Sequence, residues 1–117
     1  MSKIKETSTN FANRQVLSKE CPEVYASSII GGQWSLPVCY SLINGKLRFS
    51  ELKRCLPNIT ERMLTLQLRK LEENKIVKRT VYAEVPPRVE YELTPIGYAL
   101  KPVIRELEKW GKKHKAL

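Results

Sequence analysis

Between Arg48 and Leu71 the chain reads RFSELKRCLPNITERMLTLQLRKL, a pattern that few folds accommodate. Pro57 and Asn58 interrupt it, because proline lacks a backbone donor and asparagine favours turns. Helix signals stand on both sides of the break. Ser50 reads as the N-cap of a first short helix, with Leu52, Leu56 and Cys55 on its inner side. Thr60 caps a second helix, with Glu61 in its first turn, where negative charge suits the helix dipole. At about 100° per residue, Leu64, Leu68 and Leu71 share one face of it, and Arg62, Thr65, Leu66 and Arg69 the other. An apolar inner face opposed to a basic outer one, just after a short helix and a tight turn, predicts a helix-turn-helix. Its second helix packs inward while its outer side chains reach base edges in the major groove.

Charge supports that reading. The formal net charge is +9, and residues 46–80 alone hold ten Lys/Arg against four Glu. A second excess lies in residues 94–117, with six basic residues against Glu106 and Glu108. A basic surface coinciding with a helix-turn-helix pattern points to phosphate binding rather than to a merely solvated face. At 117 residues the chain is one domain's worth. No apolar run approaches the roughly 18 residues of a membrane span, and the N-terminus lacks the apolar core of a signal peptide. The expectation is a cytoplasmic protein without a membrane partner.

The three cysteines (Cys21, Cys39, Cys55) and single His114 form no CxxC pair and no Cys/His cluster, so neither a structural zinc nor another metal or cofactor is expected. Catalysis is disfavoured too. The chain has no aspartate and its one histidine lies in the basic C-terminal tail, which rules out a Cys-His-Asp arrangement.

Residues 1–20 are polar and aperiodic. They read as an N-terminal arm, either disordered or ordered by a partner subunit. The domain proper is expected over residues 21–117. Cys21-Pro22 opens a helix that Gly31-Gly32 ends. A second is expected from Trp34 to Ile43, with Leu36, Cys39, Tyr40 and Ile43 inward, Pro37 tolerated in its first turn, and Asn44-Gly45 as its stop. Val77 to Glu84 and Val89 to Leu93 read as two strands joined by the Pro-rich Val85–Arg88 connection, a β-hairpin wing. Arg79 and Arg88 on it are candidate phosphate or minor-groove contacts.

Thr94-Pro95 starts a last helix running to about His114, with a kink expected near Gly97 and Pro102. Its stripe of Ile96, Leu100, Val103, Ile104, Leu107 and Trp110 exceeds what so small a core needs. It therefore predicts a homodimer interface that includes Val103, Leu107 and Trp110. The fold class is α+β, mainly α: a winged helix-turn-helix with a two-stranded β-hairpin wing and a C-terminal dimerisation helix.

Four ordered motifs (CPEVYASSIIGGQW, RFSELKRCLPNITERMLTLQLRKLE, VKRTVYAEVPPRVEYELTPIG and the closing Leu107-Glu108-Lys109-Trp110-Gly111) resemble the HxlR-type family of bacterial winged helix-turn-helix regulators, distant relatives of the MarR regulators. The resemblance spans Cys21 to about Gly111. It implies a homodimer on a pseudo-palindromic operator. Two positions depart from the family pattern: Leu66, where a polar residue such as Gln is more usual, and Pro37, in place of a helix former. Leu66 either reads a thymine methyl or is idle.

Arg62, Thr65 and Arg69 are the candidates for base-edge or flanking phosphate contacts. Ser50, Lys53, Arg79 and Arg88 would position the domain on the backbone. Some members of the resembled family use a cysteine at the place of Cys21 as an oxidant or electrophile switch, which implies a candidate switch there. The helix N-terminus, which favours a thiolate, agrees with that role. The resolving thiol stays open between Cys21 of the partner subunit, Cys39 and Cys55. So do an ordinary capping thiol and control by a small ligand. The reading from another class is a basic DNA-binding or adaptor protein without sequence preference.

Overall fold

A computed structural model describes residues 21–117; the expected N-terminal arm lies outside them. The chain divides into two compact units at Gly32 and Gln33, and each is described by itself. In the first, helix α1 (Pro22–Ile30) starts with Pro22 in its first turn and Cys21 as an extended N-cap whose side chain makes no capping hydrogen bond. It stops at Gly31, where a Cβ would run into the carbonyl of Ser27, and Gly32 follows at φ +100°.

The second unit holds α2 (Ser35–Ser41), α3 (Phe49–Cys55), α4 (Glu61–Glu73), β1 (Val77–Tyr82), β2 (Arg88–Leu93), α5 (Pro95–Tyr98) and α6 (Lys101–Lys115). Its core is assembled from Val38, Cys39 and Leu42 near α2, Leu52 of α3, Ile59 in the turn, and Leu64, Leu68 and Leu71 of α4. Ile76, Val77, Leu93 and Ile104 close it. The 3–4 spacing of the α4 leucines is the reason for that helix's orientation. Three side chains a turn apart can all be withdrawn from water only if one face lies against α2 and the hairpin. Thr60 Oγ1 accepts from the Met63 N–H at 3.1 Å, satisfying one of the orphan donors of the first turn.

The hairpin is antiparallel, in register from Val77 opposite Leu93 to Tyr82 opposite Arg88. At the tip β1 is shorter than expected, ending at Tyr82, while β2 begins one residue earlier than expected, at Arg88. Leu47 adds a bridge on the other edge of β2, exchanging both backbone hydrogen bonds with Tyr91 at 2.9 and 2.8 Å. That pairing ties the segment before α3 to the wing.

Several expectations are corrected. Ser50 does not cap α3. Arg48 occupies the cap position, its N–H donates to Glu51 Oε1 at 2.8 Å, and Ser50 sits at the second helical position, exposed. A carboxylate reaching back from the third helical position satisfies the cap N–H, whereas a serine two residues past the cap is already inside the helix. Cys55 is exposed rather than inward, because α3 ends on it and Leu56 has already left helical backbone geometry at φ −127°, ψ 69°.

In α2 the buried stripe is Ser35, Val38, Cys39 and Leu42, while Tyr40 is 58% exposed. Seven residues are barely two turns, too few for periodicity to choose between stripes one residue apart. The C-terminal helix is broken, not kinked. Thr94 caps α5, accepting from the Gly97 N–H at 3.2 Å, and α6 restarts from Leu100 with Pro102 in its first turn. Proline supplies no N–H to continue the ladder but suits the first turn of a fresh helix.

Candidate nucleic-acid interface

The outer face of α4 is what the buried leucines leave over. Taking the buried side as the direction of Leu64, Leu68 and Leu71, the opposite direction falls on Arg62 and Leu66, with Arg69 and Thr65 leaning toward the hairpin. Arg62, Leu66 and Arg69 are exposed and Thr65 half-buried. Leu66 is 49% exposed, an apolar side chain at the centre of a charged face. Thr65 is less versatile than its type suggests. Its hydroxyl donates back to the Glu61 carbonyl at 2.9 Å, so outward it offers lone pairs and a methyl but no donor.

The position of α4 is fixed partly by a polar contact. Ser35 Oγ, 1% exposed, donates to Gln67 Oε1 at 3.2 Å and so registers α2 against α4.

Among the described residues, Arg62, Arg69 and Arg79 have no ion-pair or hydrogen-bond partner within the chain. Arg88 differs. Its guanidinium pairs with Glu84 at 3.2 Å and stacks over the Tyr82 ring at 4.1 Å, and its Nε is buried without an acceptor. A phosphate contact by Arg88 would have to displace Glu84. Ser50 and Lys53 lie on α3, exposed and half-buried respectively, on the element that precedes the reading helix.

The hairpin presents two faces. On one, Val77 and Leu93 are buried against the core, and the next pair outward, Arg79 opposite Tyr91, meets α4. There Thr65, Leu68, Arg69 and Glu72 of α4 and Arg79 and Tyr91 of the wing line a cleft of about 410 Å³. Glu72 and Tyr91 were not candidates from sequence. The strand alternation puts Tyr91 on one face with Val89 and Leu93, but only the register shows that this is Arg79's face. On the other face Lys46 lies 4.0 Å from Glu90. The Tyr82 oxygen first, then Glu92 and Glu90, hold its ammonium above its ordinary pKa.

A second region is apolar. Leu36, Pro37 and Tyr40 of α2 and Ile104 and Leu107 of α6, with Glu108 at its edge, line an open groove of about 410 Å³. Beyond it Val103, Leu107 (46%) and Trp110 (62%) are exposed, while Ile104 alone on α6 is buried. Trp110 stacks on His114 at 5.1 Å between ring centroids. Cys39 is buried, and desolvation pushes its thiol up to about 11. Among the described residues no helix is long and apolar enough to cross a membrane.

The HxlR-like helix-turn-helix family model matches residues 29–117, which include every element of the second unit. The chain belongs to the HxlR-like helix-turn-helix family. Its relatives include the HTH-type transcriptional regulator YdeP of Bacillus subtilis, 50% identical over 95 residues, or 81% of this chain and 74% of that protein. Among solved structures it is similar to the redox regulator HypR in its reduced form, with TM-score 0.76 and 47% identity over 80% of this chain and 93% of that one. It also matches the oxidised form of HypR at TM-score 0.74 and 48% identity, over 80% of this chain and 96% of that one. The diamide-treated form of YodB from B. subtilis matches with TM-score 0.69 and 36% identity, over 80% and 93%. As an HxlR-like protein this one is a winged helix-turn-helix transcriptional regulator, and the family is one of DNA-binding regulators, not enzymes.

Proposed function

We propose that the protein is a cytoplasmic, sequence-specific regulator that binds a pseudo-palindromic operator as a homodimer. One α4 from each copy enters successive major grooves, about 34–36 Å apart. The observation that carries this is the outer face of α4, where arginines unpaired among the described residues flank an exposed leucine on a helix pinned from behind by three buried ones. Arg62 reads a guanine edge, Leu66 a thymine methyl, and Thr65 accepts from an exocyclic amine. Arg69, Arg79, Ser50 and Lys53 set the domain on the backbone, with Arg88 a weaker contributor because Glu84 already occupies it. The dimer forms through the apolar face of α6, with Val103, Leu107 and Trp110 covered by the second copy.

The signal is a thiol switch at Cys21. This reading rests on its place at the start of α1 and on likeness to HypR and YodB, seen in oxidised and diamide-treated forms. Cys39 is a poor resolving thiol: it is buried, and its raised pKa leaves little thiolate at neutral pH. Exposed Cys55, or Cys21 of the partner subunit, is the better candidate.

Footprinting over the region upstream of the protein's own gene tests the regulator. Two protected half-sites one helical turn apart are expected. Arg62→Ala should lower operator affinity far more than random-DNA affinity, whereas Arg79→Ala weakens both. Small and equal effects from the two would sink the assignment. Oxidant should change operator binding by the wild type and not by Cys21→Ser. Operator binding indifferent to oxidant would move control to a small ligand.

A further inference from the structure

The cleft between α4 and the wing brings together groups with no partners among the described residues. Arg69 reaches it from the helix and Arg79 from β1, and among the described residues neither guanidinium has a carboxylate within ion-pair distance. Glu72 lines the same cleft without pairing to either. Two guanidiniums and one carboxylate leave a local charge of +1, and the walls of Leu68 and Tyr91 reduce the water available to screen it. Such a site attracts one oxyanion. Guanidinium forks from two directions fit the non-bridging oxygens of a single phosphate.

Net charge argues for which phosphate. A phosphodiester carries one negative charge and neutralises the cleft, whereas free phosphate near neutral pH approaches two and meets Glu72. The cleft also adjoins the outer face of α4, where the sugar-phosphate strand bordering a major groove must pass if that helix enters it.

We infer that Arg69 and Arg79 form a two-sided clamp on one and the same DNA backbone phosphate, with Glu72 tuning the cleft against more highly charged free anions. The inference rests on the proposed DNA-binding function. It assigns Arg69 to the backbone, away from base reading, and couples the reading helix to the wing through a single phosphate. The register of the hairpin on the operator then sets the depth of α4 in the groove. Arg69 and Arg79 act as positioning residues, and Arg62 and Leu66 are left to discriminate sequence.

The test uses the full-length protein and the operator defined by footprinting, with single phosphates replaced in turn by neutral methylphosphonates. On the native duplex Arg69→Ala and Arg79→Ala should each lose on the order of tenfold in affinity per half-site, the scale of one charge-assisted hydrogen-bonded contact. One methylphosphonate position in each half-site should abolish the effect of both substitutions. Glu72→Gln should tighten the native duplex and leave that modified duplex unchanged. Two different positions silencing the two arginines, or none, would overturn the clamp. So would inorganic phosphate, at constant ionic strength, displacing DNA from the wild type but not from Arg69→Ala, because the cleft would then be a free-anion site. If footprinting finds no operator at all, it is the regulator that has failed and not the clamp.

Discussion

Leu66 is the residue whose exposure most needs an explanation, and removing one methyl group from the DNA tests it. The side chain is 49% exposed at the centre of the outer face of α4, so about half of it remains to be buried in a complex. Contact with a thymine C5-methyl withdraws roughly one methyl from water, worth about 0.8 kcal/mol. That is close to a fourfold change in Kd for one half-site, and about fifteenfold when both half-sites of a dimer contribute.

Deoxyuridine lacks only that methyl and preserves every hydrogen-bonding group, so replacing operator thymines one symmetric pair at a time isolates the contact. Fluorescence anisotropy should find one pair whose replacement costs the wild type about fifteenfold and costs Leu66→Ala almost nothing. Leu66→Ala should itself lose a comparable factor on the thymine operator and almost none on the uracil one. A thymine-to-uracil penalty of the same size in both proteins, or no sensitive pair anywhere, would refute the apolar contact and leave Leu66 idle.

The dimer face is tested by Leu107→Lys, which places a charge among Val103, Trp110 and the α2–α6 groove; sedimentation should shift from dimer to monomer, and a surviving dimer would place the interface elsewhere. Gly97→Ala should destabilise by about 1–3 kcal/mol in thermal unfolding, because the new Cβ meets the Ile76 carbonyl and lies 3.1 Å from the Leu93 side chain. Alkylation at neutral pH should label Cys55 and spare Cys39 until the protein unfolds; rapid labelling of Cys39 in the native state would contradict its burial. The Cys39 thiol rises from its ordinary 9.0 to about 11 on folding, so the unfolded chain loses that proton first as pH climbs. Cys39 is therefore neutral in its effect below about pH 9 and costs stability between 9 and 11, a fall that Cys39→Ala should reduce in alkaline denaturation.

The parts of this fold legible in the sequence are those governed by local chemistry. Leu64, Leu68 and Leu71 repeat at helical spacing within a helix of 13 residues, long enough for the period to be unambiguous. Thr60 and Thr94-Pro95 carry their capping chemistry in adjacent residues, and the alternation of β2 and the prolines after β1 mark a hairpin. What stayed hidden depends on partners distant in the chain. The pairing of Leu47 with Tyr91 spans more than forty residues and has no pattern of its own. The outward turn of Tyr40 and Cys55 follows from where short helices pack and stop.

The outer face of α4 was readable as a face, but the division of labour along it was not. That Arg69 leans toward Arg79 across a cleft, and that Arg88 is held by Glu84 and Tyr82, requires the hairpin register and its placement against α4. The apolar stripe of α6 was legible as a surplus, because a core of this size closes with Ile104 alone from that helix.

The most direct measurement is the ratio of Kd values for a duplex from the upstream region and for random DNA of equal length, taken at one salt concentration by fluorescence anisotropy. A sequence-reading α4 gives a ratio in the range of about 10³ to 10⁷, and Arg62→Ala collapses most of it while leaving random-DNA binding nearly intact. A ratio near one, unchanged by Arg62→Ala, would contradict sequence reading and leave a basic protein that holds DNA through its phosphates alone.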